Sequence, residues 1–153
     1  HCVRRAAAGG ENSLLDHEIA YLLLRDEDPA FVRALMLPGA LTIPAREDED
    51  GIARPAQTGP VFSIEPESGA LHMRYTARTK SIEWKRDSTV EAAVAALARL
   101  LATPSPHQHR VTLAPGMGIL CNNVLHDRAG FVDDGEAPRL LYRARYHDRV
   151  AGT

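Results

Sequence analysis

The stretch that most constrains this chain is Asn122-Asn123-Val124-Leu125-His126-Asp127-Arg128, followed by Arg139-Leu140-Leu141-Tyr142-Arg143. It places one histidine after a short apolar segment that predicts a strand, and two arginines on a second predicted strand. A neutral imidazole binds transition metals, and the planar guanidinium of arginine binds carboxylates through paired hydrogen bonds. The pattern therefore suggests a site in which a metal and an anionic acid lie side by side.

The composition is typical of a globular protein of one domain. The chain has 153 residues, a hydrophobic fraction of 44% and a net charge of −2. This charge balance indicates neither a nucleic-acid partner nor a membrane surface, and it leaves a homo-oligomer open. Cys2 and Cys121 form no CxxC pair. Two isolated cysteines argue against a disulfide framework or a zinc finger and favour a cytoplasmic protein.

Residue periodicity predicts a mainly β chain with flanking helices. Apolar residues recur at helical spacing in two segments, and a capping-box pattern opens the second and clearer of them. A short helix is also expected after Pro29. Short apolar runs separated by turn residues favour antiparallel strands. The predicted helices cover 13–25 (capped by Asn12 or Ser13), 31–37 and 89–102 (opened by Ser88). The predicted strands cover 2–4, 61–64, 71–75, 110–113, 118–122 and 139–146.

Three further segments are predicted to be turns or loops. Gly9 and Gly10 are expected to form a tight turn, and Asn12 just beyond them either caps a helix or helps to hold a bound anion. The charged stretch 46–51 is predicted to be a solvated loop, because it lacks the spacing of a calcium-binding loop. A third turn is expected at 114–116.

Three arginines on the last predicted strand give a local indication of a ligand. Arg139, Arg143 and Arg145 share one face if 139–146 is extended, because side chains alternate along a strand. Three arginines on one strand face are energetically unfavourable unless anions bind to them. From the residues alone, a solvated or salt-bridged strand face and a carboxylate clamp both remain open. His126 is likewise either a hydrogen-bonded structural residue or a metal ligand.

Taken together, these residues resemble the TauD/TfdA family of iron(II)- and 2-oxoglutarate-dependent dioxygenases. The shared pattern begins with the turn Gly9-Gly10-Glu11-Asn12, continues from Pro115-Gly116 to Asn123, and ends with His126 and Arg139-x-x-x-Arg143. The resemblance covers nearly the whole chain. It implies a double-stranded β-helix, which is a jelly-roll-like barrel. Residues 1–153 would form a single domain that is the C-terminal portion of this larger dioxygenase barrel.

The resemblance also implies a role for each candidate residue. His126 corresponds to the distal histidine of the two-histidine, one-carboxylate iron site. Arg139 corresponds to the arginine that pairs with the far carboxylate of 2-oxoglutarate, and Asn12 lies where the family often has a threonine that contacts the same group. Arg143 matches an arginine that meets an acidic group of the substrate. Two more arginines are expected to line the pocket, Arg74 and Arg78.

The implied reaction hydroxylates a small, acidic organic substrate and converts 2-oxoglutarate and O2 into succinate and CO2, with Fe(2+) as the metal. The family's other two iron ligands form a His-x-Asp or His-x-Glu pair. No histidine of this sequence is followed two places later by Asp or Glu. We therefore expect that pair to lie upstream of His1, and we expect this chain alone to bind iron poorly and to be inactive.

Two alternatives stay open. One is a non-catalytic carboxylate-binding module or degenerate fragment, which kept the arginines and lost the iron site. The other is a cupin-like isomerase or binding protein on a similar barrel. Cupins usually gather several histidines on adjacent strands, and the sequence predicts no such cluster. A His-x-Asp or His-x-Glu pair in residues preceding His1 would distinguish the oxygenase from the binding module.

Overall fold

Fourteen short strands and three helices occur in a computed structural model of the chain, which describes residues 1–48, 51–77, 82–122, 124–146 and 148–150. In chain order they are β1 (Cys2–Arg4), β2 (Ala8–Gly9), β3 (Asn12–Leu15), α1 (His17–Glu27), α2 (Pro29–Leu35), β4 (Leu41–Ile43), β5 (Arg46–Asp48), β6 (Gly51–Arg54), β7 (Gln57–Gly59), β8 (Phe62–Ile64), β9 (Leu71–Met73), β10 (Glu83–Trp84), α3 (Ser88–Ala102), β11 (His109–Val111), β12 (Leu125–Arg128), β13 (Phe131–Val132) and β14 (Leu140–Leu141).

The architecture is mainly β, with all described strand pairs antiparallel. These strands form several small sheets, and within the described residues the sheets do not close into a barrel. Internal contacts divide the chain into two units, unit 1 with His1–Asp16 and Ser105–Thr153, and unit 2 with His17–Pro104. In the described part of the chain, none of the helices has the length and hydrophobicity needed to span a lipid bilayer.

In unit 2, helix α2 packs against both α1 and α3. Helices α2 and α3 each begin at an aspartate, Asp28 and Asp87, whose side chain accepts hydrogen bonds from backbone N–H groups of the first turn. These bonds satisfy donors that have no partner inside the helix. The apolar sides of the three helices bury Leu24, Leu35 and Leu97 completely, which gives this unit its core.

The strands of unit 2 form one three-stranded sheet, in the order β10-β4-β7, and two hairpins, β5–β6 and β8–β9. The β8–β9 hairpin pairs Phe62 with Met73. Phe62 is fully buried and meets the ring of Tyr21 edge-on, with 5.4 Å between the ring centroids. This hairpin, α3 and the short helix near residue 31 confirm three of the predicted elements.

Unit 1 is built around β3, which lies between β11 and β12 in a three-stranded sheet. Two-stranded pairs join β1 to β14 and β2 to β13. Cys2, Leu15 and Leu113 are among its few buried apolar residues. The predicted turn at 114–116 is confirmed, because the N–H of Met117 donates to the carbonyl of Ala114 at 3.0 Å and Gly116 has a φ of +88°, the pattern of a type II turn.

Two predicted elements, the helix over 13–25 and the strand over 118–122, differ from the structure. The helix predicted over 13–25 begins only at His17, because the preceding residues form β3, whose backbone bonds to a strand on each side. The strand predicted over 118–122 is absent from the described residues. The turn before it bonds instead to the backbone of Cys2, and the next strand begins at Leu125.

Two more predicted segments differ from the structure. The strand predicted over 139–146 shrinks to the two residues of β14, because its partner β1 is short and the register shifts between Cys2 and Arg4. The predicted loop over 46–51 is largely the β5–β6 hairpin, whose residues 49–50 lie outside the described residues.

Unit 1 exposes most of the large apolar side chains that are described as exposed. Of these, seven belong to unit 1 and two, Leu22 and Ile64, to unit 2. Single exposed apolar residues need no explanation, whereas their concentration in one unit indicates surface that is suited to further contacts. The seven are Met117, Ile119, Leu120, Phe131, Val132, Tyr142 and Tyr146.

Candidate functional site

The turn at Gly9 and Gly10 brings two chain segments into close contact. Both glycines have positive φ, +73° and +76°, which other residues adopt at a cost. The N–H of Gly10 donates to the carbonyl of Gly130 at 3.0 Å. A Cβ at Gly9 would lie 2.4 Å from the same oxygen, so only glycine allows this approach. The predicted tight turn is confirmed, and it fixes the start of β13 beside it.

His126 lies inside β12, whereas the sequence predicted it just past a strand over 118–122. It is opposite Leu14, while Arg128 is opposite Asn12. Because residues two apart on a strand share a face, His126, Arg128 and Asn12 project to the same side of the sheet. His126 is exposed, and its Nδ1 lies 3.0 Å from the carbonyl oxygen of Val124. A carbonyl only accepts, so Nδ1 carries the proton, which leaves Nε2 of the neutral ring able to bind a metal.

Asn12 belongs to β3 and does not cap a helix, which corrects one of the two roles predicted for it. Its amide nitrogen donates to the carbonyl of Val111 at 3.2 Å and to that of Gly10 at 3.4 Å. The side chain therefore links β3 to β11 and to the glycine turn. Its contact with a ligand carboxylate stays a prediction.

Arg139 lies just before β14, close to the glycine turn. Its Nε would be 3.8 Å from a Cβ at Gly10, and its Cζ lies 5.0 Å from the centre of the Phe131 ring. The Cζ of Arg128 lies 4.4 Å from the centre of the same ring. The fold thus brings Arg139 together with the strand that carries His126, through Phe131.

Arg143 is exposed and follows β14, outside any described strand. Strand alternation therefore does not place Arg139, Arg143 and Arg145 on one face, which corrects the argument made for a three-arginine surface. The structure brings Arg139 to the glycine turn but gives Arg143 no comparable position. Its role toward a substrate stays a prediction.

Arg74 has a structural role within unit 2. Its guanidinium donates to the carbonyl of Leu41 at 2.8 Å and to that of Gln57 at 3.2 Å, and so connects β4 to β7 beyond their own ladder. Two other residues of the predicted pattern, Arg78 and Asn123, lie outside the described residues.

A shallow pocket of about 270 Å³ lies in unit 1. None of Asn12, His126, Arg139 and Arg143 lines it. Its lining consists of Arg4, Arg5, Ala6, Ala7, Pro115, Asp134 and Ala137.

The residues around His126 do not supply a complete iron site. Among residues 1–48, 51–77, 82–122, 124–146 and 148–150, no three His, Cys, Asp or Glu side chains are grouped so as to hold a metal ion. A two-histidine, one-carboxylate site needs three such ligands. The described residues therefore fit one ligand of that site, the imidazole of His126, and not the whole set.

Two residues that lie beside the candidate residues were not predicted from the sequence, Arg128 and Phe131. Arg128 follows His126 by two positions, so a strand that included both would have predicted a shared face. The strand was expected earlier in the chain, which hid this relationship. Phe131 gave no such indication, because its position depends on the pairing of β13 with β2.

Comparison with known proteins identified one family. The sequence matches the family model described as "Taurine catabolism dioxygenase TauD, TfdA family" over residues 1–145. The match includes all four candidate residues, Asn12, His126, Arg139 and Arg143. A search of curated proteins found no match.

Proposed function

Because this chain belongs to the TauD/TfdA family of dioxygenases, we propose that it takes part in an iron(II)- and 2-oxoglutarate-dependent hydroxylation of a small organic acid. In the overall reaction, a C–H bond of the substrate becomes C–OH while 2-oxoglutarate and O2 give succinate and CO2. One oxygen atom of O2 enters each organic product. The observation that carries this proposal is the family match over residues 1–145, which spans His126 and Arg139.

Each candidate residue has a proposed role in binding. His126 would bind the metal through Nε2, since Nδ1 is engaged with the carbonyl of Val124. Arg139 would bind the far carboxylate of 2-oxoglutarate, with Asn12 close to the same group. Arg143 would meet an acidic group of the substrate. These roles rest on the family pattern and on the position of Arg139 beside the glycine turn.

We further propose that residues 1–153 are the C-terminal portion of a larger, jelly-roll-like barrel of a cytoplasmic enzyme. The sequence contains no His-x-Asp or His-x-Glu pair, so two iron ligands would come from a segment outside these residues. The exposed apolar side chains of unit 1 support a missing companion surface. This portion alone is expected to be inactive.

A non-catalytic carboxylate-binding module is the second candidate. The observation in its favour is that the described residues hold no group of three metal-binding side chains. Under this alternative, the arginines would still bind an acid, and no 2-oxoglutarate would be consumed.

The test measures 2-oxoglutarate turnover by the gene product purified from its native source. We expect an intact mass well above the 16.7 kDa of these residues, and succinate formation that requires iron(II) and O2. His126→Ala should abolish this turnover, whereas His107→Ala, at an exposed position, should leave it unchanged. A mass of 16.7 kDa without turnover would instead favour the non-catalytic carboxylate-binding module or degenerate fragment.

A further inference from the structure

The ring of Phe131 is in contact with two guanidinium groups. The Cζ of Arg128 lies 4.4 Å from the ring centre and the Cζ of Arg139 lies 5.0 Å from it. An aromatic face attracts a cation through its quadrupole, and distances below about 6 Å are typical of this interaction. Arg128 and Arg139, which flank Phe131 in the sequence, thus place like charges around its ring.

The acidic side chains nearest in sequence form no described ion pair with these guanidinium groups. Asp127 accepts a hydrogen bond from the backbone N–H of Arg128 at 2.6 Å, and Asp133 accepts one from the backbone N–H of Arg139 at 2.9 Å. Glu11, in the glycine turn, pairs with Arg110. Throughout the described part of the chain, no carboxylate oxygen lies within 4.0 Å of the guanidinium of Arg128 or Arg139. Two guanidinium groups around one ring, without a described ion pair, form a site that an anion would stabilise.

The site also lies next to the proposed metal ligand. Arg128 and His126 are two residues apart on β12, so their Cα atoms are about 7 Å apart and their side chains share a face. A dicarboxylic acid that binds to both arginines would therefore have its other end near the imidazole. This spacing favours a short dicarboxylate over a single small anion.

We propose that Arg128 and Arg139 together bind the far carboxylate of 2-oxoglutarate, and that Phe131 is the positioning residue that holds both guanidinium groups. This inference rests on the proposed function and adds Arg128 and Phe131 to the residue that the family pattern supplies. Two guanidinium forks can donate to all the lone pairs of one carboxylate, which a single arginine cannot do.

The glycine turn makes this arrangement possible. Gly10 faces Phe131, and a Cβ at this position would lie 3.6 Å from the Phe131 Cβ and 3.8 Å from the Arg139 Nε. The absence of a side chain leaves room for the ring and the guanidinium together. Phe131 is itself fixed because β13 pairs it with Gly9. The ring and the turn therefore determine where the two charges lie.

The test is a ligand-observed NMR titration of the whole gene product, as it is purified from its native source, with 2-oxoglutarate and with 2-oxopentanoate, which has the same length but lacks the far carboxylate. We expect the chain to prefer 2-oxoglutarate. Arg128→Gln and Arg139→Gln should each weaken its binding by roughly 10- to 100-fold, the loss typical of a charge-assisted hydrogen bond, and should leave 2-oxopentanoate unaffected. Arg86→Gln, at an exposed position in unit 2, controls for net charge.

Phe131 is tested by two variants. Phe131→Leu keeps an apolar side chain but removes the ring, so it should weaken 2-oxoglutarate binding, and Phe131→Tyr should restore it. A loss that affected both ligands equally would indicate a merely structural role and overturn the positioning of the arginines by Phe131. Thermal unfolding followed by circular dichroism would identify variants that fail to fold.

The remaining outcomes separate this inference from the proposed function. If Arg139→Gln loses 2-oxoglutarate binding and Arg128→Gln does not, the shared site is overturned and the proposed function stands. If the unsubstituted chain binds 2-oxoglutarate no better than 2-oxopentanoate, the shared site is overturned as well. If native-source protein then also lacks turnover, the proposed function fails with it.

Discussion

The carboxylate of Asp133 accepts a hydrogen bond from the backbone N–H of Arg139 at 2.9 Å. This bond closes the loop between β13 and β14, which carries the first of the candidate arginines. Inside the loop, Asp134 accepts a bond from the N–H of Glu136 at 3.1 Å, and its carbonyl accepts one from Ala137 at 3.2 Å. The backbone at Arg139 is thus held from within its own loop, and its guanidinium is held against Phe131.

Loss of this bond should affect ligand binding more than folding. We expect Asp133→Ala to weaken 2-oxoglutarate binding severalfold and to lower the free energy of unfolding by about 1 kcal/mol, the typical value of one hydrogen bond. Asp133→Asn keeps an oxygen acceptor and should retain most of the affinity. NMR titration and urea unfolding measure the two effects. Equal affinities for the Ala and Asn variants would show that the bond does not position Arg139.

Gly9 is expected to tolerate no side chain. Gly9→Ala should lower the free energy of unfolding by about 1–3 kcal/mol, because its Cβ would lie 2.4 Å from the Gly130 carbonyl and its φ is +73°. The matched control is Gly135→Ala in the same unit, where a Cβ meets nothing within 4 Å. Urea unfolding of both variants provides the comparison, and similar free energies would contradict the close approach of β2 and β13.

The N-terminal cap of α3 should depend on Asp87. The carboxylate of Asp87 accepts hydrogen bonds from the N–H groups of Thr89 at 3.0 Å and Val90 at 3.2 Å. We expect Asp87→Ala to cost about 1 kcal/mol of stability, and Ser88→Ala to cost less than about 0.5 kcal/mol. Chemical unfolding at neutral pH measures both. A larger loss of stability for Ser88→Ala than for Asp87→Ala would show that Ser88 is the capping residue, as the sequence predicts.

Tyr75 should make the stability of unit 2 sensitive to alkaline pH. Burial raises the pKa of Tyr75 above the 10.0 of an exposed tyrosine, so the folded state holds its phenolic proton more tightly than the unfolded state. The contribution of protonated Tyr75 to the free energy of unfolding is fully present below pH 10. It is lost as the pH rises through the pKa that Tyr75 has in the folded state.

The matched measurement for Tyr75 compares two conservative variants. We expect Tyr75→Phe to lose less stability than the unsubstituted chain between pH 9 and pH 11, while Tyr146→Phe, at an exposed position, should behave like the unsubstituted chain. Urea midpoints across this range report the difference. If the urea midpoints of all three proteins changed equally with pH, Tyr75 would not contribute to the alkaline loss of stability.

Local sequence patterns were sufficient for elements whose contacts are mainly local. Helix α3 was expected over 89–102 and occupies Ser88–Ala102, because its apolar residues repeat at helical spacing and proline follows it. The hairpin of β8 and β9 and the glycine turn were also correct. Only the capping residue of α3 differs, since Asp87 precedes Ser88 and takes its place.

Patterns failed where structure depends on distant strands. The segment around Leu14 was expected to be helical, yet β3 obtains its hydrogen bonds from β11 and β12, about a hundred residues further along the chain. The strand of His126 was misplaced for the same reason. As a result, the sequence predicted roles for His126 and Arg139 but none for Arg128, whose contact with Phe131 requires that strand.

The central position of β3 has a consequence for biosynthesis. Unit 2 is one continuous segment, His17–Pro104, whereas unit 1 combines His1–Asp16 with Ser105–Thr153. A ribosome synthesises the chain from its N-terminus. Unit 2 can therefore fold before β11 and β12, the two strands that pair with β3, have been synthesised. The loop that closes when they pair spans the whole of unit 2, which makes this step slow. We expect pulse proteolysis during synthesis to find unit 2 protected first, with the residues around His126 protected last.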